Sequence, residues 1–267
     1  MWNVELSAPH PYQSVDELTD LLGSFRAEGY RLSLHNYFPP PKESFVLNLA
    51  AADQGDKEKG TALIEGALAL CGAAGSPVYG IHAGYLAKAW ATETGMFAFA
   101  EDDDPYEEAL DRAVSFVNSI APAFERQGVR FLLENLFPAK KRRHSLFCTF
   151  DEIEEFLSRV PDSVGLLLDL GHLNVSATLL GFDKHAFIDR YLDAFADRLC
   201  EVHISENRGE KDEHLALLPN SWQLAALYDI RAAGHNEKER IYCLEARNAS
   251  FDELLANMAS INSVVSA

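Results

Sequence analysis

The chain has 267 residues and carries 41 acidic against 23 basic side chains, for a formal charge of −18. Such a surface repels nucleic acid and lacks the broad basic stripe that non-specific DNA binding requires. With no signal peptide and no apolar run of membrane-spanning length, the sequence predicts a cytoplasmic protein folded as one domain over residues 1–267.

Trp2 to Ala8 alternates as a strand does. Ser14-Val-Asp-Glu17 is a capping box that opens a helix to about Glu28, closed by Gly29. Tyr30 to Leu34 reads as a strand delivering His35-Asn36, and residues 57 to 73 read as a helix by periodicity. Pro77 to Ile81 is a strand ending in His82-Ala-Gly84. The acidic run Glu101-Asp-Asp-Asp104 precedes Pro105, which suits a first helical turn. That helix reaches about Gln127, with Leu110, Val114, Val117, Ile120 and Phe124 on one face. Val129 to Leu133 is a strand ending in Glu134-Asn135, and Thr149-Phe-Asp-Glu152 is a second capping box. Val164 to Leu168 is an apolar run suited to a strand buried on both faces, ending in Asp169, Gly171 and His172. A helix from about 184 to 197 leads to the strand Leu199 to Ile204, which carries His203. Residues 221 to 233 read as helix, Ile241 to Leu244 as the last strand delivering Glu245, and Ser250-Phe-Asp-Glu253 as the cap of the final helix. Seven strands alternating with helices predict an α/β fold, a TIM-type barrel one strand short of eight. An incomplete barrel leaves edges that the final helix or a second subunit would cover, so a homodimer is an open expectation. Cys200 and Cys243 lie within strands and predict buried, reduced thiols.

Strand C-termini repeatedly end in polar groups: His35, His82, Glu134, Asp169 with His172, His203 and Glu245. In α/β barrels that end carries the chemistry, and imidazoles interleaved with carboxylates are a donor set for divalent metals. Asp212-Glu-His214 adds a further aspartate and histidine on a polar loop.

Leu133-Glu-Asn135, Asp169-Leu-Gly-His172, Val202-His-Ile204, Asp212-Glu-His214 and Leu244-Glu245 resemble, in order, the motifs of the class II AP endonucleases (endonuclease IV). That family belongs to the xylose isomerase-like TIM barrels. His35-Asn-Tyr37 with Val46-Leu-Asn-Leu-Ala50, and Ile81-His-Ala-Gly84, are similar to its earlier motifs. The resemblance implies nine metal ligands, His35, His82, Glu134, Asp169, His172, His203, Asp212, His214 and Glu245, holding up to three zinc ions. It implies Glu134, Glu245, Asp212 and His214 as catalytic residues. The chain departs from the nucleases in three ways. Their first β/α unit has no counterpart, the Ala8-Pro-His-Pro-Tyr12 loop is too short to wedge DNA open, and Leu217-Leu-Pro-Asn220 replaces a Gly-Glu-Gly. Nucleic acid is therefore not the expected substrate.

Four carboxylates around one divalent ion leave a site near −2, whereas three ions and a bridging hydroxide leave it near +1, a receptor for phosphate. The leading expectation is phosphoester hydrolysis of a small phosphorylated or carbohydrate substrate at a multinuclear zinc site. The alternative is a sugar or sugar phosphate isomerase or epimerase. That enzyme would use one manganese or magnesium held by Glu134, Asp169, His203 and Glu245, with the two glutamates moving protons. Lys140, Lys141, Arg142 and Arg143, with Arg208 and Lys211, are the candidate clamp for a substrate phosphate.

Overall fold

The computed structural model describes residues 3–7, 10–92, 97–140, 142–233 and 240–266. The chain divides into two compact units. One comprises Met1–Glu134, His144–Leu146 and Phe156–Gly165; the other comprises Asn135–Arg143, Phe147–Glu155 and Leu166–Ala267.

The first unit contains β1 (Asn3–Leu6), α1 (Val15–Ala27), β2 (Arg31–His35), α2 (Gln54–Ala74) and β3 (Val78–His82). These are followed by a two-stranded antiparallel ribbon, β4 (Ala89–Ala91) with β5 (Phe97–Phe99), then α3 (Tyr106–Gln127) and β6 (Arg130–Glu134). Strands β1, β2, β3 and β6 pair in parallel in that order. The helix α4 (Phe150–Leu157) follows β6. The rest runs β7 (Gly165–Asp169), α5 (Leu170–Leu180), α6 (Lys184–Phe195), β8 (Leu199–Ile204), α7 (Trp222–Ala232), β9 (Ile241–Leu244) and α8 (Phe251–Val265). In the second unit β7, β8 and β9 pair in parallel. All seven predicted strands are present.

Leu34, Tyr79, Ile81, Leu132 and Leu133 are sealed from solvent in the first unit, as are Leu166, Leu167, Leu168, Val202 and Ile204 in the second. This two-sided burial is what continuous apolar runs in parallel strands predict. The predicted stripe on α3 is buried, and Phe124 stacks on Tyr79 with ring centroids 6.0 Å apart. Each such leucine contributes about 1.5–3 kcal/mol by leaving water. The three capping boxes form: Ser14 with Glu17, Thr149 with Glu152 and Ser250 with Glu253.

Four local features differ from expectation. Helix α2 starts at Gln54, because the Asp53 side chain accepts a hydrogen bond from the Asp56 amide and caps it earlier than periodicity indicates. Pro105 is the residue before α3 rather than part of its first turn. The β4–β5 ribbon was not expected. Nor was α5, whose first eight residues are all buried, so it shows no amphipathic stripe for a periodicity search to find. Cys200 and Cys243 lie on β8 and β9 as expected but are only half-buried, whereas Cys71 and Cys148 are fully buried. Burial pushes the thiols of Cys71 and Cys148 up to about 12. No described helix is long and apolar enough to cross a membrane.

Candidate metal centre

In the first unit, β2, β3 and β6 each end in a candidate ligand: His35, His82 and Glu134. Parallel pairing sets His82 directly opposite Glu134. Both imidazoles present Nε2 to the same carboxylate oxygen, Glu134 Oε2, at 3.5 Å. Glu134 and His35 are almost wholly buried. His82 Nδ1 lies 2.8 Å from the Tyr85 hydroxyl, which fixes the ring. The chain turns after His82 at Gly84, whose φ of +126° places any Cβ 3.1–3.2 Å from Asn48 Oδ1 and the Ala50 amide. Only glycine suits that combination of backbone angle and contact. The Asn48 carboxamide in turn accepts hydrogen bonds from the amides of Ala50 and Tyr85. Leu47 donates its amide to the Tyr37 hydroxyl, and burial pushes the Tyr37 phenol up.

The second unit brings together the other six. Asp169 ends β7 and pairs in register with His203 on β8. Its Oδ1 accepts a hydrogen bond from the His172 amide at 2.6 Å and so caps α5. Asp169 Oδ2 lies 3.9 Å from both His203 Nδ1 and His172 Nδ1. His203 Nδ1 is 3.3 Å from Glu245 Oε2, and that oxygen is 3.8 Å from His214 Nδ1. Asp212 Oδ2 lies 3.6 Å from His172 Nε2 and 2.6 Å from His214 Nε2. Gly171 is required where α5 meets the strand ends, since a Cβ there would stand 2.6 Å from Ser205 Oγ.

The spacings bear on what the groups can hold. Two donors bound to one ion at about 2.0–2.2 Å sit roughly 3.0–3.6 Å apart. His35–Glu134, His82–Glu134, His172–Asp212 and His203–Glu245 fall in that range and are too long for charge-assisted hydrogen bonds. His214–Asp212, at 2.6 Å, is a direct hydrogen bond instead. Asp169, His203 and Glu245 each offer a donor atom within 4.8 Å of the others, a ready three-ligand set.

The charges of the second unit reinforce one another. Burial works to raise the Glu245 carboxyl, but His203, Arg247 and His214 together hold it well below the ordinary carboxylate range. Asp212 behaves alike: burial opposes its charge, and the neighbouring His172 and His214 imidazoles overcome that opposition and lower it. Burial works to lower His214, yet the Asp212 and Glu245 carboxylates outweigh it and raise the imidazole.

Three of the six basic residues are ion-paired with glutamates. Lys140 pairs with Glu210 at 2.8 Å on the surface, and Arg208 with Glu213 at 3.1 Å. Arg143 is ion-paired with Glu152, the residue that caps α4. Arg142 forms a backbone bridge with Ala139, Lys211 is exposed, and Lys141 lies outside the described residues.

Three supporting residues carry no role in the sequence reading: Tyr85, Asn135 and Asn207. Asn135 Oδ1 accepts from the Asp169 amide at 2.7 Å, and its Nδ2 donates to the Asp169 carbonyl at 3.0 Å. Asn207 donates to the Gly171 carbonyl and accepts from Asn174 and Gly209. Asn135 closes the quoted Leu133-Glu-Asn135 motif and Tyr85 directly follows Ile81-His-Ala-Gly84, which is the one signal that could have found them.

Residues 4–235 match the xylose isomerase-like TIM barrel family. An uncharacterized protein of Methanocaldococcus jannaschii is 26% identical over 134 residues, 49% of this chain and 45% of that one. A UPF0276 protein of Acaryochloris marina is 33% identical over 118 residues, 44% and 40% of the two chains. The match thus spans less than half the length of either curated relative. Among solved structures, a D-tagatose 3-epimerase-like protein superposes with a TM-score of 0.73 at 19% identity, covering 99% of this chain and 88% of that one. D-psicose 3-epimerase of Clostridium cellulolyticum H10 gives 0.69 at 15% identity, with 98% and 89% covered. A Thermus thermophilus protein soaked with ZnCl2 gives 0.61 at 19% identity, with 98% and 88% covered. These identities establish likeness of fold. With seven parallel strands, intervening helices and a family match over most of its length, the chain belongs to the xylose isomerase-like TIM barrel family.

Proposed function

We propose that the protein is a divalent-metal-dependent isomerase or epimerase of a small carbohydrate. The observation that carries this reading is the group of buried Asp169 and His203 with half-buried Glu245, three donors of mixed carboxylate and imidazole type within 4.8 Å of one another. Glu134 is the fourth ligand named by the single-ion reading of the sequence. The names of the similar structures, D-tagatose, D-psicose and L-ribulose 3-epimerases, point the same way.

A divalent ion held by these residues supplies electrophilic polarisation of a substrate oxygen. The proton chemistry belongs to the chain. A carbon next to a carbonyl loses its proton to one glutamate in its carboxylate form and regains one from the other in its acid form, which inverts the centre or moves the carbonyl. Glu134 and Glu245 take those two roles. Glu245, held well below the ordinary carboxylate range, is ionised at neutral pH. The oxygen-rich set favours manganese or magnesium for a single ion.

Phosphoester hydrolysis at a multinuclear zinc site finds no support among the similar structures. One observation keeps it as a second reading: His172, Asp212 and His214 form a further imidazole–carboxylate group beyond what a single ion needs. The basic residues lend little weight to a phosphate clamp, since Lys140, Arg143 and Arg208 are ion-paired with glutamates. Elemental analysis of protein purified without added metal, followed by a panel of ketoses and ketose phosphates, tests the proposal. One manganese or magnesium per chain and interconversion of a ketose are expected. About three zinc ions with release of inorganic phosphate would favour the hydrolase.

A further inference from the structure

We infer that Asn135 is the positioning residue that sets the tautomer of His172 and holds Asp169 in place. The geometry is independent of any metal; its consequence for metal binding rests on Asp169 and His172 both being ligands, as in the nine-ligand set that the motif resemblance implies. Asn135 follows Glu134 at the end of β6 and is buried. Its carboxamide grips the Asp169 backbone at two points, accepting the amide at 2.7 Å and donating to the carbonyl at 3.0 Å. Its own backbone carbonyl meets His172 Nδ1 at 2.8 Å. A carbonyl oxygen only accepts, so Nδ1 must carry the proton. Nε2 is the ring nitrogen turned to Asp212, at 3.6 Å, and in the neutral ring it is the one without the proton. One side chain and one carbonyl thus arrange both ends of the Asp169-Leu-Gly-His172 motif.

A polar group that locks the far nitrogen of a ligand imidazole fixes ring direction and tautomer, and losing such a group typically lowers metal affinity about 10- to 100-fold. Here the carbonyl cannot be deleted by mutation, but the carboxamide that steadies it can. In Asn135→Ala the Asp169 amide and carbonyl lose their partners together. In Asn135→Asp the amide keeps an acceptor while the Asp169 carbonyl faces a second oxygen, so only the donated bond is lost. The hydroxyl of Tyr85, 2.8 Å from His82 Nδ1, plays the corresponding part for the other unit but can either donate or accept, so it forces no tautomer.

The test begins with the unaltered, metal-free protein, so no variant need fold for it to be decisive. Nitrogen-15 NMR at alkaline pH, with His172 assigned by comparison with His172→Gln, reads which ring nitrogen is protonated. The expected result is the Nδ1–H tautomer. A dominant Nε2–H form would overturn the inference whatever the enzyme turns out to do. Manganese and zinc titrations of Asn135→Ala and Asn135→Asp should then show affinity reduced about 10- to 100-fold in the first and less in the second. Asn135→Ala should cost much less in a His172→Ala background, because the two substitutions remove one shared arrangement. Affinities within twofold of wild type, or losses that simply add, would also overturn it. Failure to turn over any sugar would count against the proposed function and leave this inference standing.

Discussion

His203 Nδ1 and Glu245 Oε2 stand 3.3 Å apart at the ends of neighbouring strands β8 and β9, with the imidazole sealed from solvent. A buried imidazole and carboxylate at that distance are spaced as two ligands of one ion rather than as a tight hydrogen bond. His203→Ala and Glu245→Gln should therefore each lower bound metal by at least tenfold at limiting concentration. Dialysis against a chelator followed by titration with manganese measures it. Unchanged affinity in both variants would remove this pair from the metal site.

The strand framework was legible because buried parallel strands are written as short apolar runs, Val164 to Leu168 being the clearest. The capping boxes at Ser14, Thr149 and Ser250 were legible because their chemistry is local. Helix α5 was not, because a helix buried on all sides has no polar face to contrast with its apolar one. The candidate ligands were proposed from the residue types at strand ends, but the residues that support them were not legible there. Whether Asn135 grips Asp169, 34 positions away, depends on the fold and on no local pattern. The partner of Arg143, a helix-capping glutamate, is likewise set by the fold and by no local pattern.

Acid and alkali should both weaken the metal-free protein at one named pair. Asp212 is lowered from its ordinary 3.8, so its contribution to stability is present above that value and lost as pH falls through the depressed one. His214 is raised from its ordinary 6.5, so its contribution is full below 6.5 and lost as pH rises through the raised value. The pair thus supports the fold most between about pH 4 and 6.5. Chemical denaturation across pH, compared with His214→Gln, should show the variant losing this plateau. Identical profiles would refute the coupling.

Metal binding at that group, which the multinuclear reading requires, competes with a proton on His214, whose imidazole is raised. Calorimetric titration near pH 6.5 in two buffers of different ionisation enthalpy should reveal proton release. His214→Gln should release about one proton fewer.

Gly171→Ala should destabilise the protein by about 1–3 kcal/mol, since its Cβ would meet Ser205 Oγ at 2.6 Å and overpack a closed junction. Leu167→Ala, at the centre of β7, should cost about 2–5 kcal/mol by leaving a cavity. Urea denaturation measures both. The two should separate in metal affinity, which Gly171→Ala lowers because Gly171 lies between Asp169 and His172, and Leu167→Ala largely spares.

The most direct measurement is solvent exchange at carbon. The protein, loaded with manganese, is incubated in deuterium oxide with a panel of ketoses and ketose phosphates, and products are followed by proton NMR and by phosphate assay. Deuterium should enter the carbon beside the carbonyl of at least one sugar, and Glu134→Gln and Glu245→Gln should each reduce that exchange by 100-fold or more, about 2.7 kcal/mol of barrier. Release of inorganic phosphate with no carbon-bound deuterium, abolished by Asp212→Ala, would contradict the isomerase reading and establish the hydrolase in its place.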